Sequence, residues 1–329
     1  MPMPVTPVFI LSLPRSGSTM LQRELARHPE IATVSEPWFL LGLLPPGDAD
    51  LSGSTYGRRV YRQAVEDMIA ALPGGRDDWH AVMRSAASDL YERLAEAQGG
   101  GARYFIDKTP RYALAPEAVH AMFPDAPLIV LWRNPLAIAA SMMSTYSSGR
   151  WNLYRFVQDF EIALPRLVAF VERNPGSVLA LRYEDLRPGS EPDLSRILEH
   201  LGLDEADGAL IGNAANVALA GRLGDPTGGL NHTVPSLGDD RWKAQFRNPL
   251  RRAWARRFLR RIGAERLSVM GYDLNELEAE LASCRGFARN LIMDLLLMPR
   301  GIFRRLFLTT MLRAQFLRLR HRQPLVDVE

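Results

Sequence analysis

The densest chemistry in this 329-residue chain lies in Phe9-Ile-Leu-Ser-Leu-Pro-Arg-Ser-Gly-Ser-Thr-Met-Leu21, where an apolar strand runs into an Arg/Ser/Gly loop and then a helix. The backbone N–H groups of Ser16, Gly17 and Ser18 are expected at an uncapped helix N-terminus, where free donors and the helix dipole favour an anion. Arg15 adds a full positive charge. The stretch is not a Walker A loop, because it has no Lys and lacks the first Gly of that pattern. Strand, loop and helix with one Gly and two hydroxyls recur in α/β proteins, so this segment alone leaves an anion site and an ordinary connection both open.

A second segment has similar chemistry. Leu131-Trp-Arg-Asn-Pro-Leu-Ala-Ile-Ala-Ala-Ser141 places Arg133 at a strand terminus, Asn134 as a helix N-cap and Pro135 at the first helical position. Ser141 follows Asn134 by two turns and shares its helical face, so Arg133 and Ser141 can hold one phosphate between them. Taken singly, Arg133 could instead pair with a neighbouring acid while Ser141 packs as a small helix residue. Two anion sites on adjacent parallel strands suit a ligand phosphorylated at both ends.

Positioning these groups requires a sheet. Short, continuous, β-branched runs occur at Val8–Leu13, Ile31–Ser35, Tyr104–Asp107, Leu128–Arg133 and Val178–Tyr183. Helical patterns intervene at Ser18–His28, Arg58–Leu72, Trp79–Gln98, Pro116–Met122, Pro135–Tyr146, Leu153–Arg173 and Pro192–Leu201, with another at Asn248–Arg261. Such alternation predicts an α/β fold of three layers, with a central parallel sheet covered on both faces. Loops are marked by Leu44–Ser54, Gly99–Gly101 and Gly221–Gly238. In such sheets ligands gather at the carboxyl ends of the strands. Read there in turn, the strand ends give Arg15, Glu36, Lys108, Arg133 and Tyr183, four charged groups and a phenol converging on one crevice.

Composition narrows the class. At 47% hydrophobic and 23% charged residues, the chain can bury a large core as one elaborate domain, alone or with an appendage. A single cysteine, Cys284, permits no internal disulfide, and the six histidines show no paired metal-ligand spacing, so no metal is expected. The N-terminus has no basic n-region and leads into the first strand, which predicts a cytoplasmic catalytic part. All but two of the 40 basic residues are arginine. Against that background Lys108 and Lys243 stand out as compact charges.

With both anion motifs described, a resemblance becomes informative. Pro14-Arg-Ser-Gly-Ser-Thr-Met-Leu21 resembles the 5′-phosphosulfate loop of the sulfotransferases that use 3′-phosphoadenosine 5′-phosphosulfate (PAPS), and Arg133-x7-Ser141 resembles their 3′-phosphate motif. Shorter matches are His28-Pro-Glu, Ser35-Glu-Pro, Asp107-Lys-Thr-Pro-Arg-Tyr112, Arg182-Tyr-Glu-Asp-Leu186 and Gly271-Tyr-Asp273, similar above all to the tyrosylprotein and glycan-modifying branches. The resemblance implies the P-loop-like sulfotransferase fold, with PAPS as sulfuryl donor and no metal. Arg15, Ser16, Gly17, Ser18 and Thr19 would hold the 5′-phosphosulfate, Arg133 and Ser141 the 3′-phosphate, and Tyr183 would lie near the adenosine. Arg241-Trp242 resembles the late basic residue and Trp that close over the cofactor in tyrosylprotein relatives. Glu36 occupies the place of the general base and Lys108 that of the group neutralising the bridging oxygen, with Arg15 assisting. Glu36 could instead form a salt bridge with Arg15 or Arg111, and His232 is the reserve base. Two departures stand out. Arg15 replaces the Lys of cytosolic small-molecule members, and the second motif reads Arg-Asn-Pro where Arg-Asp-Pro is commoner.

The remaining features concern acceptor and location. The catalytic domain is expected over residues 1–280 and a basic, apolar helical appendage over 281–329. Leu281 to Arg322 holds nine Arg against one acid, Asp294, with many Leu, Ile and Phe between them. Without about 20 uncharged apolar residues in a row this segment is not expected to span a bilayer. Its composition suits an anionic membrane surface at the inner face, while core packing or a homodimer contact fits as well; it is too apolar for a nucleic-acid arm. The acceptor pocket is expected from Trp38–Gln98, Tyr146–Tyr154 and Ala218–Asp240, for a glycan, lipid-linked sugar or other sizeable acceptor. Two other classes fit the scaffold: a nucleotide kinase-like transferase, opposed by the missing Walker Lys, and a non-catalytic membrane-attached nucleotide-binding protein, opposed by the presence of Glu36 and Lys108.

Overall fold

The computed structural model describes residues 4–44, 58–186, 191–204, 219, 240–286 and 290–299. Five parallel strands form the sheet among them: β1 (Thr6–Ser12), β2 (Ile31–Thr33), β3 (Tyr104–Asp107), β4 (Leu128–Trp132) and β5 (Val178–Arg182). Their order is β2-β3-β1-β4-β5. β1 is central and pairs in parallel with β3 (Val8 opposite Ile106) and with β4 (Ile10 opposite Ile129). All five expected strands are present, most of them a residue or two shorter at the carboxyl end.

The alternation of side chains along each strand explains why the runs are continuously apolar. Val8, Ile10, Ile106, Ile129 and Leu131 enter one buried cluster, with Leu21 and Leu25 of α1 (Ser18–Leu25) and Leu194, Ile197, Leu198 and Leu201 of α8 (Glu191–Leu201). Phe9, Leu11, Phe105, Leu128, Val130 and Trp132 face the opposite cluster. That second layer is built by α4 (Arg76–Glu96), α5 (Pro116–Met122), α6 (Pro135–Ser147) and α7 (Leu164–Arg173), with α2 (Leu40–Leu43) before them, while α3 (Arg58–Ala71) packs on α4. Because the sheet is covered on both faces, the strands are apolar along most of their length, with polar residues such as Ser12, Asp107 and Arg182 at their carboxyl ends.

Asn134 caps α6 as the sequence predicts, its side chain accepting from the N–H groups of Leu136 and Ala137. The helix expected over Leu153–Arg173 is instead three pieces: a 3₁₀ turn at Leu153–Phe156, a π turn at Asp159–Ala163, then α7. Pro165 is the cause, because it has no N–H to bond residue 161 and the chain winds wide in front of it. After the segment around 205–239, which lies outside the described residues together with His232, Gly221–Gly238 and most of Ala218–Asp240, come α9 (Arg241–Gln245), α10 (Pro249–Ile262), α11 (Ala264–Val269) and α12 (Leu274–Ser283). Most of the expected loop Leu44–Ser54 is likewise outside them.

The division expected at 280/281 falls inside α12. Beyond it, residues 291–299 form a further helix, α13, which docks against α10 and the main core. Asp294, the single acid of the basic segment, is fully buried and takes a two-pronged ion pair from Arg251 of α10 (2.5 and 2.9 Å) plus a bond from Asn248. Leu297 and Met298 pack on the core beside it, while Ile292, Leu295 and Leu296 stand exposed. Residues 300–329 lie outside the described part. No described helix is long and apolar enough to cross a membrane.

Candidate active site

Because β1 is flanked by β3 and β4, the strand order dictates a linear order of strand-end residues: Glu36 after β2, Lys108 after β3, Arg15 after β1, Arg133 after β4, Tyr183 after β5. Polar contacts follow that order. The Lys108 Nζ donates to Glu36 Oε1 at 2.7 Å and to Thr19 Oγ1 on α1 at 3.1 Å. Arg133 donates from Nη1 to the carbonyl of Arg15 at 2.9 Å, and its guanidinium lies 4.3 Å over the Tyr183 ring. Arg15 reaches across to α6, its Nε donating to Ser141 Oγ at 3.2 Å. The two anion motifs therefore touch.

The loop between β1 and α1 is shaped for close approach. Gly17 is the N-cap of α1 in left-handed geometry (φ 92°), and Arg15 is left-handed too (φ 70°). No side chain caps α1 and its first turn carries no acid, which leaves the end of the helix suited to a ligand anion. Ser16 and Ser18 are buried beneath the loop. A Cβ on Gly17 would sit 2.2 Å from Tyr183 Cδ2, so the absence of a side chain is what lets the phenol ring lie across the loop.

Lys108 is 0% exposed and Glu36 only 11%. Burial lowers the Lys108 ammonium below its ordinary range, and the Glu36 carboxylate beside it opposes that effect. Arg111, the alternative partner for Glu36, is bonded to Asp159 at 2.7 Å. The Asp107 carboxylate next to Lys108 is fully buried and takes hydroxyl donors from Tyr91 (2.7 Å), Tyr112 (2.8 Å) and Thr109 (3.2 Å). Burial outweighs those donors and pushes Asp107 up to about 6.

Two positions stand apart from this row. Arg241 is exposed and Trp242 is buried on α9, edge-on to Phe246 in the main core. That helix packs on α6, where Gln245 donates to Ser144, one turn beyond Ser141. Three supporting groups were not singled out from the sequence. Glu184 fastens β5 to α6 by accepting the Asn134 N–H (2.8 Å) and the Tyr272 hydroxyl (2.6 Å). Tyr91 lies on a helix with no motif, and Trp38 donates from its indole to Glu36. For Glu184, position in Arg182-Tyr-Glu-Asp-Leu186 was the available signal; for Tyr91 none was.

A row of cations at the carboxyl edge of a parallel sheet, with a carboxylate at one end, has the chemistry that suits a polyanion and a proton transfer beside it. A family model described as Sulfotransferase family matches residues 7–207, which include every strand-end residue named above. The chain belongs to the sulfotransferase family. It is similar to the nodulation protein NoeE of Sinorhizobium fredii strain NGR234, 31% identical over 220 residues, covering 60% of this chain and 50% of NoeE. It is also similar to an uncharacterized protein of Aquifex aeolicus, 25% identical over 214 residues, covering 62% of this chain and 26% of that one. The chain thus spans half or less of the length of these relatives. Among solved structures it is similar to the sulfotransferase domain of the Synechococcus PCC 7002 olefin synthase, 26% identical with a TM-score of 0.47, covering 73% of this chain and 88% of that domain.

Proposed function

We propose that the protein transfers a sulfuryl group from PAPS to a hydroxyl of a glycan, lipid-linked sugar or other sizeable acceptor, with Glu36 as general base. The observation that carries this reading is the placement of Lys108 between Glu36 and Thr19, at the junction of a proton acceptor with an anion-binding loop. The donor is charged at both ends, and the residues fit it: the Arg15–Thr19 loop and open end of α1 for the 5′ end, Arg133 and Ser141 for the 3′-phosphate, Tyr183 beside them. Arg241 and Trp242, on the helix packed against α6, are proposed to cover the nucleotide.

In-line transfer needs an aligned nucleophile and a neutralised leaving group more than covalent help. Glu36 takes the proton of the acceptor hydroxyl as its oxygen bonds to sulfur, and the bond from sulfur to the phosphate oxygen breaks. An ammonium has three N–H donors, and Lys108 gives two of them to Glu36 and Thr19, so the third serves the leaving oxygen. Arg15 neutralises the same charge from the loop.

The basic segment, whose exposed Ile292, Leu295 and Leu296 precede further Arg and apolar residues, is proposed to hold the enzyme at the inner face of an anionic membrane. The test is transfer of radiolabelled sulfate from PAPS, alongside calorimetry with the product nucleotide PAP. Glu36→Gln is expected to abolish transfer with PAP binding intact, and Arg133→Ala to weaken PAP binding first. Absence of PAP affinity in the wild type ends the donor assignment; a Glu36→Gln variant that keeps most of its kcat ends that of the base.

A further inference from the structure

Trp38 holds its backbone in the left-handed region (φ 60°), a conformation that a bulky side chain rarely adopts. Three bonds hold it there or make use of it. Its main-chain N–H donates to Thr109 Oγ1 at 3.3 Å, and the Thr109 hydroxyl donates in turn to the buried Asp107 Oδ1 at 3.2 Å. Its indole Nε1–H donates to Glu36 Oε2 at 3.0 Å. Lys108 takes the other oxygen, Oε1, at 2.7 Å. The two oxygens of the carboxylate are thus fixed by two different donors, one from each side, while a carboxylate has about four lone-pair positions in all. Two remain to accept a proton.

Trp38 is 38% exposed although the polar atom of its indole is satisfied. What faces solvent is therefore flat apolar surface directly beside the carboxylate. Backbone strain held by a buried Asp-Thr anchor, in a residue that leaves its ring exposed, has no stabilising return in the core. It is expected where the surroundings force a conformation for use at a site. An acceptor hydroxyl within reach of Glu36 must lie alongside this ring. A pyranose presents a C–H face next to its hydroxyls, and an indole carrying a dry face and a polar tip matches both.

We propose that Trp38 is the acceptor-side residue of the site: its indole N–H positions the Glu36 carboxylate, and its exposed ring is the wall on which the sugar ring bearing the accepting hydroxyl packs. The inference rests on the reading of Glu36 as base. It commits the acceptor to a carbohydrate.

The experiment compares full-length wild type, Trp38→Phe, Trp38→Ala and Glu36→Gln. Radiolabelled PAPS is the donor and a cell extract fractionated into carbohydrate-bearing and carbohydrate-free material is the acceptor pool, with 2-naphthol as a non-sugar ring. Phe keeps a ring and loses the N–H, so loss of a hydrogen bond to a charged group should lower kcat by about tenfold or more at nearly unchanged KM for the extract. Ala should add a rise in KM of roughly tenfold through the lost ring contact. The Kd for PAP should stay at the wild-type value in both, which a merely structural role for Trp38 would not allow. Label is expected in the carbohydrate-bearing fraction. Wild-type kcat and KM in both Trp38 variants, with Glu36→Gln inactive, overturn the inference and leave the base standing. Label confined to 2-naphthol or to carbohydrate-free material overturns the sugar wall, and PAP binding that falls in parallel with kcat overturns the positioning role. Full activity in Glu36→Gln removes the base itself and the inference with it.

Discussion

Replacing Gly17 with alanine perturbs both proposed anion sites through one methyl group. The added Cβ would lie 2.2 and 2.4 Å from Tyr183 Cδ2 and Cε2, well inside van der Waals contact, so either the loop or the ring must move. The ring is not free to swing, because Arg133 lies 4.3 Å over its face and is itself bonded to the Arg15 carbonyl. At φ 92° the backbone alone costs an L-residue about 1–2 kcal/mol. Displacing the stacked guanidinium removes about 0.5–1 kcal/mol more. Together these give roughly 1.5–3 kcal/mol, or about 10- to 150-fold weaker nucleotide binding. Calorimetry with PAP on wild type, Gly17→Ala, Tyr183→Ala and the double variant measures it. The double variant should bind better than the sum of the single losses, because without the phenol only the backbone strain remains. Wild-type affinity in Gly17→Ala, or strict additivity in the double variant, would refute the claim that glycine is required by the approach of Tyr183.

Other expectations follow from buried charges. Lys108→Arg should reduce transfer by two orders of magnitude or so, since a site with 0% exposure has no room for a planar fork and arginine presents its donors differently; near-normal kcat counts against the compact-charge argument. Burial pushes the Asp107 carboxyl up to about 6, above the ordinary aspartate range, so over that interval the folded state keeps a proton that the unfolded chain gives up. Its contribution to stability is therefore full below about pH 4 and falls by on the order of 3 kcal/mol as pH rises through about 6. Urea melts of wild type against Asp107→Asn should diverge over that interval, and parallel curves would contradict the assignment. Asp294→Ala leaves the Arg251 guanidinium buried without its carboxylate and should cost about 3–5 kcal/mol, whereas an Arg251→Met/Asp294→Leu pair should recover most of it in thermal melts.

Much of this arrangement was legible because continuous apolar runs between helices can only be strands buried on both faces. Parallel sheets put their chemistry at one edge, so reading the residue after each run gave Glu36, Lys108, Arg15, Arg133 and Tyr183 before any topology was known. The strand order was not legible. Nothing local says that β3 inserts between β2 and β1, and it is that insertion which seats Lys108 between Glu36 and the loop. The single helix expected over Leu153–Arg173 was misread for a simpler reason, since its apolar period is sound and only Pro165 signalled the break. α12 carried an unread signal in Asp273 and Glu276, an N-cap with an acid three residues on. Tyr91 acts through Asp107, 16 residues on, and Trp38 through neighbouring Glu36 and distant Thr109, and no periodicity reports such pairings. The packing of Asp294 on Arg251 is of the same kind: composition showed one acid among nine arginines, and only the fold shows it turned inward.

That inward turn has a mechanical side. Arg251 donates not only to Asp294 but also to the carbonyl of Gly149, which Asn290 also reaches from the start of α13. Gly149 lies two residues beyond the end of α6, just after its C-cap Ser148; the other end of that helix carries Asn134 and its middle Ser141. The anchorage of α13 and the proposed grip on the nucleotide thus share one helix. A pull on α13 is delivered to the foot of that helix, about two turns from the serine that Arg15 holds.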